Sequence, residues 1–437
     1  TETDASQSRI NAAVTSLRNA IDGLQVNGEE EIDKIIKAIS KKWIADKSST
    51  ADDWKIVDMA MLGKADDLFA NESDKHHYVS KAINGINPLS VTDYERVLIA
   101  LTALGIDGSK LNEYRTFYDQ KGNIVTNLIT SIQSFPESAM SVNSATFALL
   151  AFDSGEYEVK NGTWSRENLI QYLLKQQLTD GGWNLQASGA ADPDVTAMAI
   201  SALAPYAKDN KNVEDAVTKA LATLSKLQDK NGKYASYDTI NSNSSAMVMI
   251  ALASTGKDAV NDEDFTKWSA GKKNSVLSGL LTFKISSSNE FGYDNNRTAN
   301  ALSTEQGLRA LAAYRSYLYA KAAVQPYVFG KPDAPEKWEE EAVAVSLEIV
   351  REPSKTTYQK GEKFEPSGLA VKVTFSDGTV IEPTTKDLEI IGFDSSTTGD
   401  RTLKIQYQNA YAVLQVKIEG SSTPSSKVIY LRVADPQ

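Results

Sequence analysis

Between residues 214 and 228 the apolar side chains of Val217, Leu221, Leu224 and Leu227 recur at spacings of three and four, with Lys219, Thr223 and Lys226 between them. That period predicts an amphipathic helix with one wet face. Residues 195–204 follow another rule, because Ala197, Met198, Ala199, Ile200, Ala202 and Leu203 leave almost no polar face. A helix that is apolar all round is buried on all sides. Alternation of the two kinds predicts two concentric layers, with amphipathic helices outside and apolar ones within.

The dry pattern occurs six times, at Asp53 to Leu62, Asp93 to Leu104, Asn143 to Ala151, Asp194 to Leu203, Ser244 to Ala253 and Thr304 to Ala313, with starts 40, 50, 51, 50 and 60 residues apart. A near-constant period of this kind marks one supersecondary unit copied along the chain. Each copy opens on Asp, Asn, Ser or Thr, the residue types whose side-chain oxygen caps an orphan N–H of the first turn. Six such hairpins predict a closed ring of six inner and six outer helices, an α/α toroid over residues 26–325.

After Gln325 the pattern changes. Pro326, Pro332 and Pro335 among charged residues read as a linker over 326–341. Runs rich in β-branched residues follow at Ser346 to Val350, Leu369 to Phe375, Val380 to Glu382, Leu388 to Ile391, Thr402 to Tyr407 and Ala412 to Ile418, with a hairpin turn at Ser376-Asp377-Gly378-Thr379. They predict a small all-β sandwich over 342–420, so the fold class is multidomain α and β. Residues 421–437 read as a Ser/Thr/Pro linker and the strand Lys427 to Val433 of a further, truncated domain. Residues 1–25 read as a helix ending a preceding helical module.

Composition narrows the partners. The formal net charge is -11, without a long run of one sign, which disfavours nucleic acid and anionic membrane surfaces. There is no cysteine, so thiolate metal sites and a cysteine nucleophile are excluded. No apolar stretch is long enough to cross a membrane.

Gln177 with Gly182-Trp183, Gln228 with Gly232 and Tyr234, and Gly292-Tyr293 resemble the QW-type repeat of the terpenoid cyclase and prenyltransferase α/α toroid superfamily. Ser287 stands where the third glutamine would be. The resemblance implies the toroid fold; the same fold carries cyclases, prenyltransferases, thioester domains and corrinoid carriers. Residues 342–419 resemble bacterial immunoglobulin-like modules of surface proteins, through Tyr358-Gln359-Lys360-Gly361-Glu362, Gly368-Leu369-Ala370-Val371, Phe375-Ser376-Asp377-Gly378 and Gly399 leading to Tyr407. Residues 5–24 are similar to the last helix of a three-helix module of Gram-positive cell-wall proteins. Together these imply a segment of an exported protein, secreted or attached to the wall.

The superfamily's chemistries make demands that the residues do not meet. A zinc prenyltransferase site needs cysteine, and the chain's two histidines are the adjacent His76 and His77. A protonating cyclase resembles Asp-x-Asp-Asp, whereas Asp192-Pro193-Asp194-Val195 lacks the final acid. Were the ring an enzyme acting on a glycan or terpenoid, Asp194, Asp192, Asp93 and Glu305 are its candidate carboxylates, since every inner helix begins at one mouth. Helix capping is the competing role for Asp194. Trp54, Tyr94, Trp183, Tyr234, Tyr237 and Tyr293 could gather at the same mouth as ligand contacts, with plugging between helices as the competing role for Trp183, Tyr234 and Tyr293. Asp180, Asp294, Asn295 and Asn296 read as solvated turns sooner than as calcium ligands. The expectation is a non-catalytic, monomeric cell-surface binding or adhesion segment without metal or cofactor, taking an extracellular glycan, host protein or small molecule. A toroid enzyme and a corrinoid carrier are the alternatives.

Overall fold

In the computed structural model, which describes residues 29–46, 52–296, 298–339, 342, 344–375, 378–408 and 410–420, six apolar helices form the inner layer of the first unit. They are Asp53–Ala60, Val91–Ala103, Val142–Ser154, Pro193–Leu203, Ser242–Ser254 and Ala301–Ala320, hereafter the first to sixth inner helices. Each packs against the next, and the sixth packs back on the first, so the ring is closed. The outer layer comprises the helix at 29–45 and Glu72–Asn84, Leu128–Gln133, Arg166–Lys175, Lys211–Leu227 and Val276–Leu281. In the first of these, Ile32, Ile35, Ile36 and Ile39 face the core at helical spacing. The helix expected within residues 1–25 and the strand at Lys427 to Val433 lie outside the described residues.

The caps stand earlier than the sequence reading placed them. Asp52, Ser141, Asp192, Asn241 and Asn300 accept N–H groups of the first turn at five inner helices, and Ser90 precedes the second without a side-chain cap bond. Residues 53, 93, 143, 194, 244 and 304 lie inside the helices. Asp194 is therefore not a cap: Asp192 Oδ1 accepts from the Asp194 and Val195 N–H groups at 2.9 and 3.1 Å. Pro193 at the first helical position, which needs no N–H partner, fixes that choice.

The repeat motif works as a joint between hairpins. Trp183 is wholly buried and its indole N–H donates to Leu173 O at 2.8 Å. The Gln177 amide donates to Gly181 O and Ala216 O, tying the loop to the next outer helix. Trp183 N–H donates to Thr196 Oγ1, which donates back to Trp183 O. Phe291 and Thr304 make the same reciprocal pair. Phe291, not Tyr293, thus occupies the place of Trp183 in the third copy. A Cβ at Gly307 would stand 2.6 Å from the Phe291 ring, so only glycine leaves room for it.

Residues 324–338 are packed on the ring instead of forming a free linker. Val324 N–H donates to Ala253 O and Phe329 N–H to Ser154 O, so the strap crosses the C-terminal ends of the fifth and third inner helices. Trp338 stacks on His76 at 3.7 Å between ring centroids, and its N–H donates to Tyr114 O. Burying these rings draws the unit boundary to Trp338/Glu339.

The second unit is a two-sheet sandwich. Strands Thr357–Gln359, Ala410–Glu419, Gly399–Tyr407 and Glu389–Ile391 form one sheet in that order, and Ala344–Arg351, Ala370–Phe375 and Val380–Ile381 the other. Period-two alternation sends Leu403 and Ile405 of one strand and Leu414, Val416 and Ile418 of its partner into the core with Val371, Val373 and Tyr358. Thr357–Gln359 is a strand the hydrophobic pattern alone did not give.

Candidate functional site

Counting from each N-cap brings equivalent positions of the inner helices to one level. Two residues past the cap stand Trp54, Asn143, Asp194, Asn243 and Leu302; six past it stand Asp58, Phe147, Met198, Met247 and Gln306; nine past it stand Leu150, Ser201, Ile250 and Arg309. Most of these line one cavity on the ring axis, of about 130 Å³, together with Glu305 and Tyr327. Tyr327, between the strap's anchors at Val324 and Phe329, is 6% exposed and closes the cavity at the C-terminal end of the ring. The axis is thus a pocket with a floor, and its rim holds Trp54 and Leu302.

Charge in the pocket is organised around Arg309. Its Nε donates to Asp58 Oδ1 at 2.6 Å and its Nη2 to Glu305 Oε1 at 3.0 Å, and the guanidinium lies 4.5 Å from the centre of the Trp54 ring. Two carboxyls therefore share one guanidinium. Burial pushes the Asp58 carboxyl well up, opposed by Arg309 and assisted by Glu305. Glu305 is raised for the same first cause, again with Arg309 opposing. Asp58 Oδ2 and Gln306 Oε1 have no hydrogen-bond partner among the described residues, which leaves acceptors unused at this level.

Asp194 stands at the rim level. Burial raises its carboxyl to about 6, the Ser244 hydroxyl opposing and the Asp192 carboxylate adding to the rise, and its Oδ1 has no partner among the described residues. Two other candidate carboxylates are spent on structure. Asp192 caps its helix and accepts from Ser236 Oγ at 2.5 Å, while Asp93 accepts from Asn87 N–H and from Arg96.

Of the aromatic candidates, only Trp54 lines the pocket. Tyr94 is buried with its ring edge-on to Phe135, and Trp183 and Tyr234 are core residues. Tyr237 is 71% exposed at the turn of the hairpin Tyr234–Asn241, and Tyr293 is 40% exposed. Asp180 and Asp294 hold their own turns, through Gly182 and Ala191 N–H and through Asn296. Among the described residues no group of three or more acidic or histidine side chains could hold a metal ion.

Sequence reasoning missed Asp58, Gln306, Arg309 and Tyr327. A signal existed for two of them: Asp58 and Arg309 are charges of opposite sign flanked on both sides by apolar residues in the first and last inner helices. Such charges are buried only when paired.

One carboxyl lies outside this pocket. Glu95, in the second inner helix, is wholly buried, neither oxygen has a partner among the described residues, and burial pushes its carboxyl well up. A raised acid is most favourable to the fold below its unfolded pKa, and that stability is lost as pH rises toward the folded value. Glu95→Met is expected to raise stability at pH 7 by about 1–3 kcal/mol and to give little gain near pH 4, measured by urea denaturation at both.

Comparison with known proteins agrees with this architecture. Residues 141–278 match the squalene-hopene cyclase C-terminal domain, and residues 351–418 match the bacterial Ig-like domain (group 3). A pectate lyase L of Thermoclostridium stercorarium is 30% identical over 122 residues, which cover 24% of this chain and 10% of that protein. This chain therefore spans about a tenth of that relative's length. A Candida albicans protein geranylgeranyltransferase-I complexed with GGPP is 13% identical, with TM-score 0.40, over 68% of this chain and 94% of that one. A polysaccharide lyase is 12% identical, with TM-score 0.43, over 68% and 99%. In fold the chain is a terpenoid cyclase-like α/α toroid followed by a bacterial immunoglobulin-like domain.

Proposed function

We propose that this chain is a non-catalytic binding segment of an extracellular protein, in which the axial pocket takes a small polar group such as one sugar residue and the immunoglobulin-like domain serves as a spacer. The observation that carries the reading is the pocket itself, whose charged side chains are already committed to one another. Glu305 is held by Arg309, which also donates to the wholly buried Asp58, and a carboxylate held in that way orients a ligand better than it transfers a proton. At about 130 Å³ the cavity is well below the roughly 300–1,000 Å³ of pockets that enclose larger ligands. That volume suits a terminal sugar and excludes a folded polyprenyl chain or a corrin within the ring. The immunoglobulin-like domain and the similarity to a protein named as a pectate lyase support an extracellular setting. No helix among the described residues is long and apolar enough to cross a membrane.

Calorimetric titration with a panel of neutral mono- and oligosaccharides tests the reading. Binding is expected, and Trp54→Ala and Glu305→Gln should each weaken it by about tenfold. Equal affinity of both variants and the parent, or turnover of a glycan or isoprenoid by the purified chain, would overturn it.

One observation favours an enzymatic reading, the raised carboxyl of Asp194 with its unused oxygen. An acid near 6 is suited to proton transfer at neutral pH. On this reading polysaccharide cleavage has a pH profile with a limb near 6, and Asp194→Asn abolishes it without loss of stability.

A further inference from the structure

The strands Thr266–Ser269 and Lys272–Ser275 form a hairpin whose turn, Ala270-Gly271, has positive φ at both residues, 51° and 72°. That turn type fits the right-handed twist of a two-residue hairpin, so the ribbon is locally well specified. Its sequence carries Lys267, Lys272 and Lys273 and no acid, in a chain of net charge -11. At its centre Trp268 is 72% exposed, while the chain's five other tryptophans are buried or half-buried. Exposing an indole forgoes a large burial gain, which makes an exposed one informative.

The ribbon is held in place from beneath. Lys267 Nζ donates to Ser225 Oγ at 3.2 Å and Asp264 O at 2.9 Å, and Asn274 Nδ2 donates to Lys230 O at 3.0 Å. These bonds pin one face against the end of the outer helix Lys211–Leu227. Trp268 and Lys273 are cross-strand partners on the other face. Directly opposed residues hold their Cβ atoms about 4.5–5.5 Å apart, so indole and ammonium are presented together. Among the described residues Lys273 Nζ has a single long contact, 3.4 Å to Asn261 Oδ1, and Lys272, paired with Ser269 on the opposite face, is exposed at the ribbon's edge beside the turn. Three neighbouring acids are engaged, since Asp229 accepts Asn231 and Lys233 N–H groups and Asp262 and Asp264 pair with Lys257, while Glu263 is exposed three residues before the first strand.

We propose that this hairpin is a docking surface for an acidic polysaccharide, with Trp268 stacking on a sugar ring and Lys272 and Lys273 meeting its carboxylates. A flat aromatic face takes the apolar side of a pyranose, and a lysine ammonium serves as a point charge for a carboxylate. Two lysines, Lys273 opposite the indole and Lys272 at the ribbon's edge beside the turn, form a sparse basic site, matched to a chain with one charge per sugar. Nucleic acid, with one charge per 1.7 Å or so of duplex, meets the acidic remainder of the molecule at much higher density. The site is independent of the axial pocket.

Affinity electrophoresis of the full chain in gels containing polygalacturonate, with dextran as the neutral control and single-stranded DNA as competitor, tests it. Retardation by polygalacturonate that weakens with salt is expected. Trp268→Ala and the double variant Lys272→Glu/Lys273→Glu should each weaken binding by about tenfold, Trp268→Tyr should retain most of it, and Trp54→Ala should leave it unchanged. Absence of retardation, equal retardation by dextran, equal affinity for the DNA, or full binding by Trp268→Ala would overturn the proposal.

Discussion

Arg309→Met should lower the stability of the toroid by about 3–5 kcal/mol at pH 7 and by much less near pH 4. The methionine fills the space but leaves Asp58, which is wholly buried, without its counter-charge. Asp58 already lies above the ordinary carboxylate range through burial, and loss of the guanidinium that opposes this raises it further. A carboxyl raised in the folded state is harmless below its unfolded pKa and costs stability as pH climbs toward the folded value, so acid should rescue the variant. The double variant Asp58→Asn/Arg309→Met should recover part of the loss at pH 7. All six tryptophans lie at or before Trp338, so tryptophan fluorescence in urea reports the toroid without the sandwich. A loss at pH 7 no larger than that at pH 4 would show that Asp58 is not the group left stranded.

Trp183→Ala should cost about 3–5 kcal/mol by the same measurement. Truncation empties a fully buried indole site, and it strands the Leu173 carbonyl that accepted the indole N–H. Trp183→Phe separates the two effects. It keeps most of the packing, so the remaining cost should be near 1 kcal/mol, the worth of the single hydrogen bond. Equal losses for the two substitutions would mean that the carbonyl's partner, not the packed ring, holds the joint.

Much of the fold was written in the period of apolar residues. Six dry stretches gave six inner helices, because an all-round apolar helix has nowhere to go but the middle. The caps were misplaced by one to four residues, since each start carries more than one polar residue and only geometry decides which oxygen meets the orphan N–H groups. Tyr293 was matched to Trp183 by the glycine before it, yet Phe291 makes the bonds; burial, which sequence does not state, distinguishes them. The strap was read as linker because prolines and charges dominate it, while two aromatic rings, Tyr327 and Trp338, decide where it lies. For the pocket, Trp54 and Glu305 were legible from their place at helix starts. Arg309 and Asp58 were not, because they are 251 residues apart and meet only if the ring closes.

That last contact also bears on how the molecule comes to be folded. Neighbouring hairpins meet over short stretches of chain, and such local contacts form quickly. The seam between the first and sixth inner helices has to wait for nearly the whole toroid, and closing a loop of 251 residues carries a larger entropic cost than any step before it. Until then two apolar helix faces stand open to solvent, as they would in a chain halted before Ala301. An open solenoid gains stability with every repeat it adds; this ring withholds part of its stability until the last helix is in place.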